Sequence, residues 1–291
     1  MLVSFDIDGK VREQKLHEIY DMNFIKCRHL EEDAKFSFES WEDVQKMKDA
    51  SNNKDWFNPN NFNISLLGSG SYHHFTMYII EQITKPFYLV MFDWHYDAGV
   101  SRWKWQRDKK RQLMEEGKIK LKGGGARYNF GGWVIPACLL PNCKGVLIVG
   151  VGDAKWERRS ALGPTPKESW NIDVIDDGSD YHLFGDKIKD IIPDDTDVYV
   201  TVCKDVLNEH ELKTDWSNGE MTTTELYHML EVVRDNYNIC GVDICGEKRK
   251  QKWSEDDKEF IHNNIVRHAL VNRKIIDLFG GYELYGKKTN I

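Results

Sequence analysis

Runs of apolar residues recur along the chain between polar, turn-forming positions: 63–67, Phe87–Phe92, 145–151, 198–202 and 239–244, with a shorter run at 1–8. Short runs bounded in this way predict strands. Phe87–Phe92 is apolar on both faces, which fits a strand of a parallel sheet covered by helices on each side. Elsewhere the period changes to that of a helix. Residues 74–84 carry apolar side chains at helical spacing, 222–236 opens with a Thr/Glu start signal, and 256–279 closes the chain. Strands alternating with helices predict right-handed crossovers and an α/β fold, a three-layer αβα sandwich around a mostly parallel, doubly wound sheet. Residues 28–62 are charged, Asn-rich and weakly patterned, and are expected to wrap the surface.

The run Phe87–Phe92 leads straight into "DWHYDAG", where Asp93, His95 and Asp97 fall at every second position. On an extended chain they share one face, with Trp94 and Tyr96 on the other. Two carboxylates beside an imidazole repel each other and are costly to desolvate unless a cation neutralises them, so this is a candidate metal site. A strand fraying into a polar turn at Asp97 gives the same letters, and further ligands must decide. Ligands of an open α/β sheet bind beyond the carboxyl ends of its strands. Two other strand ends supply donors. "GSGSYHHFT" delivers His73 and His74 to the start of a helix, where capping is the alternative role. "VYVTVCKDVLNEHE" places Cys203 and Asp205 two apart, the alternative being a small buried thiol and a turn-forming carboxylate.

Composition narrows the setting. With seven prolines, no low-complexity run and no repeat in 291 residues, a single domain spanning 1–291 is expected. A formal charge of −7 argues against a general nucleic-acid binder. No secretory start and no bilayer-length apolar stretch is present, so a soluble, cytoplasmic protein without a membrane partner is expected. The six cysteines (Cys27, Cys138, Cys143, Cys203, Cys240, Cys245) form no CxxC pair and read as reduced thiols. Trp94, Trp103, Trp105 and Trp133 cluster along the chain near the candidate site and suggest an aromatic wall. A basic insertion at about 100–128 carries ten Lys and Arg against three acidic residues and ends in Gly123, Gly124 and Gly125. It reads as a hinged lid whose positive potential draws an anionic substrate or acidic peptide, or as a solvated charged helix or subunit contact.

Taken in order, the segments resemble motifs of the arginase/ureohydrolase superfamily, whose fold histone deacetylases share. "GSYHH" is similar to the family's GGDHS loop, with the histidine ligand at His73 and the agmatinase-like threonine at Thr76. "DWHYD" resembles DAHxD, "VLIVGVGD" the stretch ending in GxR, "VYVTVCKDVL" the SxDxDxLDP strand, "GEMTTTELYHML" the GGLT helix and "CGVDICGE" the late D-hydrophobic-hydrophobic-E strand. The order holds from about 63 to 280. Cys203 replaces the aspartate that bridges two metals in arginases, while Asp205 keeps the second acidic position and Asn208 replaces the third. Gly131 in "YNFGGW" stands for the histidine of the family's HG element. Gly246 takes the place of the guanidinium-binding glutamate, which is displaced to Glu247.

The resemblance implies a metal-dependent hydrolase of a C–N bond in a guanidino, amidino or amide group, on a small molecule or a peptide-borne arginine. By analogy with the one-zinc deacetylases, Asp93, His95 and Asp205 form the main metal site. His73, Asp97 and Cys203 hold a second ion or the attacking water, and His74 or Glu247 shuttles the proton. The family implies Mn2+; a sulfur donor at Cys203 points to Zn2+. The family also often assembles into homo-oligomers. Two other readings of the same fold are a single-zinc deacetylase-like amidohydrolase and a catalytically degenerate binding protein.

Overall fold

Each apolar run becomes a strand whose alternate side chains enter different layers. The computed structural model describes residues 1–27, 61–98, 131–152, 171–176, 180–248 and 258–280. The surface wrap expected over most of 28–62, the basic insertion at about 100–128 with Trp103 and Trp105, and Asp153 of "VLIVGVGD" lie outside them. Eight strands, β1 (Leu2–Asp6), β2 (Met22–Lys26), β3 (Ile64–Ser69), β4 (Phe87–Phe92), β5 (Cys143–Val151), β6 (Ile172–Asp176), β7 (Asp197–Cys203) and β8 (Asn238–Glu247), form one sheet. Its order is β2-β1-β3-β8-β7-β4-β5-β6, and every pairing is parallel.

Two apolar layers cover the sheet. Leu89 and Met91 of β4 pack with Phe75, Tyr78, Ile79, Ile135 and Ala137, from the side that carries α2 (Thr76–Ile80) and α3 (Val134–Cys138); the one-turn helix α1 (Lys10–Glu13) follows β1. Tyr88, Val90 and Phe92 pack instead with Phe184 and Ile188 of α4 (Phe184–Ile191), Leu226, Leu230 and Val233 of α5 (Thr223–Asn236), and Ile275 and Ile276 of α6 (Lys258–Gly280). Burying each such side chain contributes about 1.5–3 kcal/mol, which explains why β4 tolerates no polar residue on either face. The start of α5 follows the expected signal, because Thr222 Oγ1 accepts from Glu225 N at 3.2 Å while Thr222 N donates to Glu225 Oε2 at 2.7 Å.

The expected helix over 74–84 is shorter than its pattern. A 3-10 turn, Gly70–Phe75, runs into α2, which stops at Ile80; Gln82 Nε2 then takes the carbonyl of Tyr78 at 2.7 Å. A side chain that bonds a local carbonyl competes with continuation of the helix. β2 and β6 were not predicted. They are the outermost strands, only partly covered, and residues such as Asn23 and Asp173 break their apolar runs. No described helix is long and apolar enough to cross a membrane.

Consecutive strands β3 and β4 are separated in the sheet by β8 and β7. The chain thus switches direction at the centre, and the carboxyl ends of four adjacent strands open onto one crevice.

Candidate metal centre

Just past β4 the chain stops being extended, which corrects the expectation of a continued period of two. Asp93 N still donates to Val149 O of β5 at 3.0 Å, but His95 N turns back to Asp93 Oδ1 at 2.6 Å. That bond is the Asx turn open to an aspartate two residues upstream. Asp97 adopts φ 44°, a left-handed conformation that aspartate tolerates better than most residues. A turn, not a pleat, therefore brings the three side chains together. Val134 N holds the loop through Asp97 O at 3.2 Å, and Trp133 Nε1 donates to Asp97 Oδ2 at 2.9 Å.

His73 arrives from the 3-10 turn after β3. Its Nδ1 lies 2.8 Å from Asp93 Oδ2 and 3.5 Å from Asp97 Oδ2, and its ring packs 4.9 Å from that of Trp133. Hydrogen-bond chemistry fixes how its ring is oriented. Thr76, Thr201 and Tyr199 all donate to the buried carboxylate of Asp243, with Thr201 Oγ1 at 2.5 Å from Oδ1. A hydroxyl has one proton. Thr201 Oγ1, having given its own to Asp243, must accept from His73 Nε2 at 2.8 Å. Nδ1 is thereby turned towards Asp93 and Asp97, the arrangement that outer-shell partners impose on metal-binding histidines.

On the other side of Asp93, His95 Nδ1 lies 3.1 Å from Asp205 Oδ2 and 3.5 Å from Asp93 Oδ1. Asp205 comes from the 3-10 turn Lys204–Val206 that ends β7, and its Oδ1 accepts from Trp94 N at 3.5 Å. Asp93 thus touches both imidazoles, one through each oxygen. Burial and Asp205 raise its pKa, and burial with Asp93 lifts Asp97 to about 6. Burial opposes charge on the imidazoles, yet Asp205 and Asp93 push His95 up to about 11. Cys245, Asp93 and Asp97 likewise hold His73 well above its ordinary range. Two protonated rings do here what a cation does better. The donor set of imidazole, carboxylate and thiol fits a divalent metal: donor atoms of His73, Asp93 and Asp97, and separately of Asp93, Cys203 and Asp205, lie within 4.8 Å of one another.

No family model matches the chain. An uncharacterised protein of Thermotoga maritima is 25% identical over 234 residues, covering 80% of this chain and 78% of its own. Proclavaminate amidino hydrolase from Streptomyces clavuligerus superposes with a TM-score of 0.59 at 13% identity, covering 96% of this chain and 90% of its own. Arginase from Bacillus subtilis gives 0.58 at 14%, covering 96% and 97%. Agmatine ureohydrolase of Thermoplasma volcanium gives 0.55 at 12%, covering 97% and 90%. The chain has the arginase/ureohydrolase fold. Identities this low speak for architecture, so the site has to be argued from its own residues.

Within this ureohydrolase fold the two residues expected to shuttle protons are both buried. Glu247 is wholly buried and accepts from Lys204 Nζ at 2.5 Å, Asn272 Nδ2 at 2.9 Å and Gln14 Nε2 at 3.1 Å. Burial raises its pKa, but Lys204, His268 and the bond from Asn272 together outweigh burial and leave it below the usual value. The cause lies one residue earlier. Gly246 has φ +103°, and a Cβ there would sit 2.6 Å from Lys204 N, so no side chain fits where the ureohydrolase glutamate would stand. His74 is fully buried, and burial together with His73 presses it to about 3, so it does not take up a proton near neutral pH.

The aromatic expectation divides. Trp133 contacts the cluster, whereas Trp94 packs over Gly152 and Gly219. Trp216, unforeseen, stands edge-on to His95 with centroids 6.3 Å apart. It also lines an open cavity of about 560 Å³ with Asn208, His210, Lys213, Asn218 and Glu220. Thr201 and Asp243 were missed as well. The signal was present: they sit two positions before Cys203 and Cys245, on the same face of β7 and β8.

Proposed function

We propose that the chain is a metal-dependent hydrolase that cleaves a C–N bond of a guanidino or amidino group. The observation that carries this reading is Asp93, whose two oxygens meet one imidazole on each side, 2.8 Å from His73 and 3.5 Å from His95. Asp93, His95 and Asp205 hold the principal ion; His73 and Cys203, with Asp97 beside them, hold a second. When bound, a divalent cation, Mn2+ or Zn2+, supplies Lewis acidity and a nucleophile at neutral pH. The protein's own groups do the rest. Trp133 fixes Asp97, Thr201 and Asp243 fix the His73 ring, and Trp216 walls the cavity next to His95. The names of the structural neighbours, arginase, agmatine ureohydrolase and an amidino hydrolase, support this substrate class. With Gly246 in place of the glutamate, recognition of free arginine through that position is lost. A peptide-borne or otherwise substituted guanidine suits the cavity better.

Cys203 in place of the bridging carboxylate favours a second reading, a single-zinc amidohydrolase acting on acylated amines. Metal content of the purified chain, followed by assays for urea or amine release from arginine, agmatine, arginyl peptides and acyl-lysyl peptides, decides between them. Metal-dependent release from a guanidine supports the first reading, and acyl release with one zinc supports the second. A chain that binds no ion and turns over none of these compounds overturns both.

A further inference from the structure

We infer that Cys203 and Cys245 bring two sulfur donors into the centre, so that the ion at His73 is a thiophilic dication bound by Cys203 Sγ, Cys245 Sγ, His73 Nδ1 and an oxygen of Asp93. The inference deepens the metal dependence proposed above and rests on it. Cys203 and Cys245 are register partners on the adjacent parallel strands β7 and β8. Both side chains belong to the same apolar layer of the sheet, and they are 1% and 0% exposed. One donor atom from each of His73, Cys203 and Cys245 lies within 4.8 Å of the other two. Nε2 of His73 is committed to Thr201, which leaves Nδ1, 2.8 Å from Asp93 Oδ2, as the nitrogen available to the ion. Asp93 is also grouped within 4.8 Å of Cys203. Two sulfurs, one nitrogen and one oxygen make a four-coordinate set, and thiolate bonds to zinc of about 2.3 Å fit donors spaced in this way.

The backbone around the sulfurs keeps room for an ion. A Cβ at Gly70 would come within 3.3 Å of Cys203 Sγ, and Gly246 Cα would lie 3.7 Å from it. Glycine at position 70 keeps a side chain away from the thiol. Chemistry then selects the metal. Paired thiolates favour zinc or another soft ion over manganese or magnesium, which prefer oxygen. With Cys203 committed to the ion at His73, the lobe of His95 and Asp205 is left with nitrogen and oxygen donors, so the two halves of the centre differ in metal preference. On binding, each thiol loses its proton to solvent as the sulfur–metal bond forms.

Cobalt(II) added to the full-length chain, stripped with a chelator under reducing conditions, reads out sulfur directly. The expected result is an intense near-ultraviolet sulfur-to-cobalt charge-transfer band. The band falls by about half in Cys203→Ser and in Cys245→Ser and vanishes in the double variant, as for two thiolates on one ion. Because the wild-type band alone is decisive, the inference does not depend on the variants folding. Cobalt bound without the band overturns the inference and leaves the metal-dependent hydrolase standing. Failure to bind any cobalt overturns both.

Discussion

Two buried ionic clusters lie side by side at the strand tips, and they are built on opposite principles. Cys203 and Asp205 face the candidate metal centre, while Lys204 between them turns the other way to Glu247 and Asn272, and Asn272 in turn donates to Gln14. That second cluster balances its own charge and in that sense is closed: one ammonium meets one carboxylate at 2.5 Å, and the side-chain amides of Asn272 and Gln14 donate to the same oxygen, Glu247 Oε1. The first cluster does not close. Among the described residues, Asp93, Asp97 and Asp205 crowd together and are balanced by protons on His73 and His95. Burial is common to both, so burial alone does not mark a functional site. Charge that balances only when something binds does.

Breaking the closed cluster produces the largest loss of stability. Lys204→Met leaves the Glu247 carboxylate buried without its cation and is expected to cost about 3–5 kcal/mol, measured by urea unfolding of the metal-free chain. Lys204→Met combined with Glu247→Leu recovers most of that loss, since apolar pairs often replace buried ion pairs at little cost. Equal losses in the single and double variants refute the closed-pair account. The open cluster answers the opposite way. Asp205→Asn should leave unfolding of the metal-free chain nearly unchanged while weakening metal binding by more than the roughly 10- to 100-fold that loss of an outer-shell partner costs. Metal titration followed by calorimetry measures it, and undiminished affinity removes Asp205 from the ligand set.

The contrast also shows what the sequence makes legible. The central strands announce themselves because both of their faces are buried; β4 runs over Phe87–Phe92, as its apolar run predicts. Asp93, His95 and Asp205 were readable because ionisable groups directly after such strands have few structural uses. Glu247 misled because its position in the motif hides the backbone turn at Gly246, where φ is +103°. Cys245 was silent for a different reason: inside "VDICGE" a cysteine reads as one more small apolar core residue. Side-chain direction across two strands is a tertiary fact, and only the register Cys203↔Cys245 reveals it.

A smaller effect separates ligand from support within the open cluster. Thr201→Val keeps the size of the side chain but removes the hydroxyl that accepts from His73 Nε2 at 2.8 Å and donates to Asp243. The imidazole then loses the partner that sets its tautomer, and metal affinity should fall by about 10- to 100-fold. If affinity holds while only stability falls, the Thr201–Asp243 pair merely packs the strand.

The smallest effect belongs to the closed cluster and depends on pH. His268 on α6 is 3% exposed, its Nε2 lies 3.0 Å from Lys213 O, and it feels Lys204, Glu247 and Lys248. Burial first, and then Lys204, depress it from 6.5 to about 3, with Glu247 only partly opposing them. The folded chain therefore refuses a proton that the unfolded chain accepts below pH 6.5. Stability contributed by the neutral ring is fully present above 6.5 and is lost as pH falls towards 3, with a slope of about 1.4 kcal/mol per pH unit from this group. His268→Gln keeps a side chain able to donate to Lys213 O but does not titrate. Other groups, such as Asp8, raised to about 7 by burial, have the opposite slope in both proteins and cancel in the difference. The unfolding free energy of wild type minus His268→Gln, plotted from pH 7.5 down to 4.5, should thus be flat at first and then fall. A flat difference throughout means that the folded chain admits a charged His268 beside Lys204, and the cluster is then less closed than its hydrogen bonds indicate.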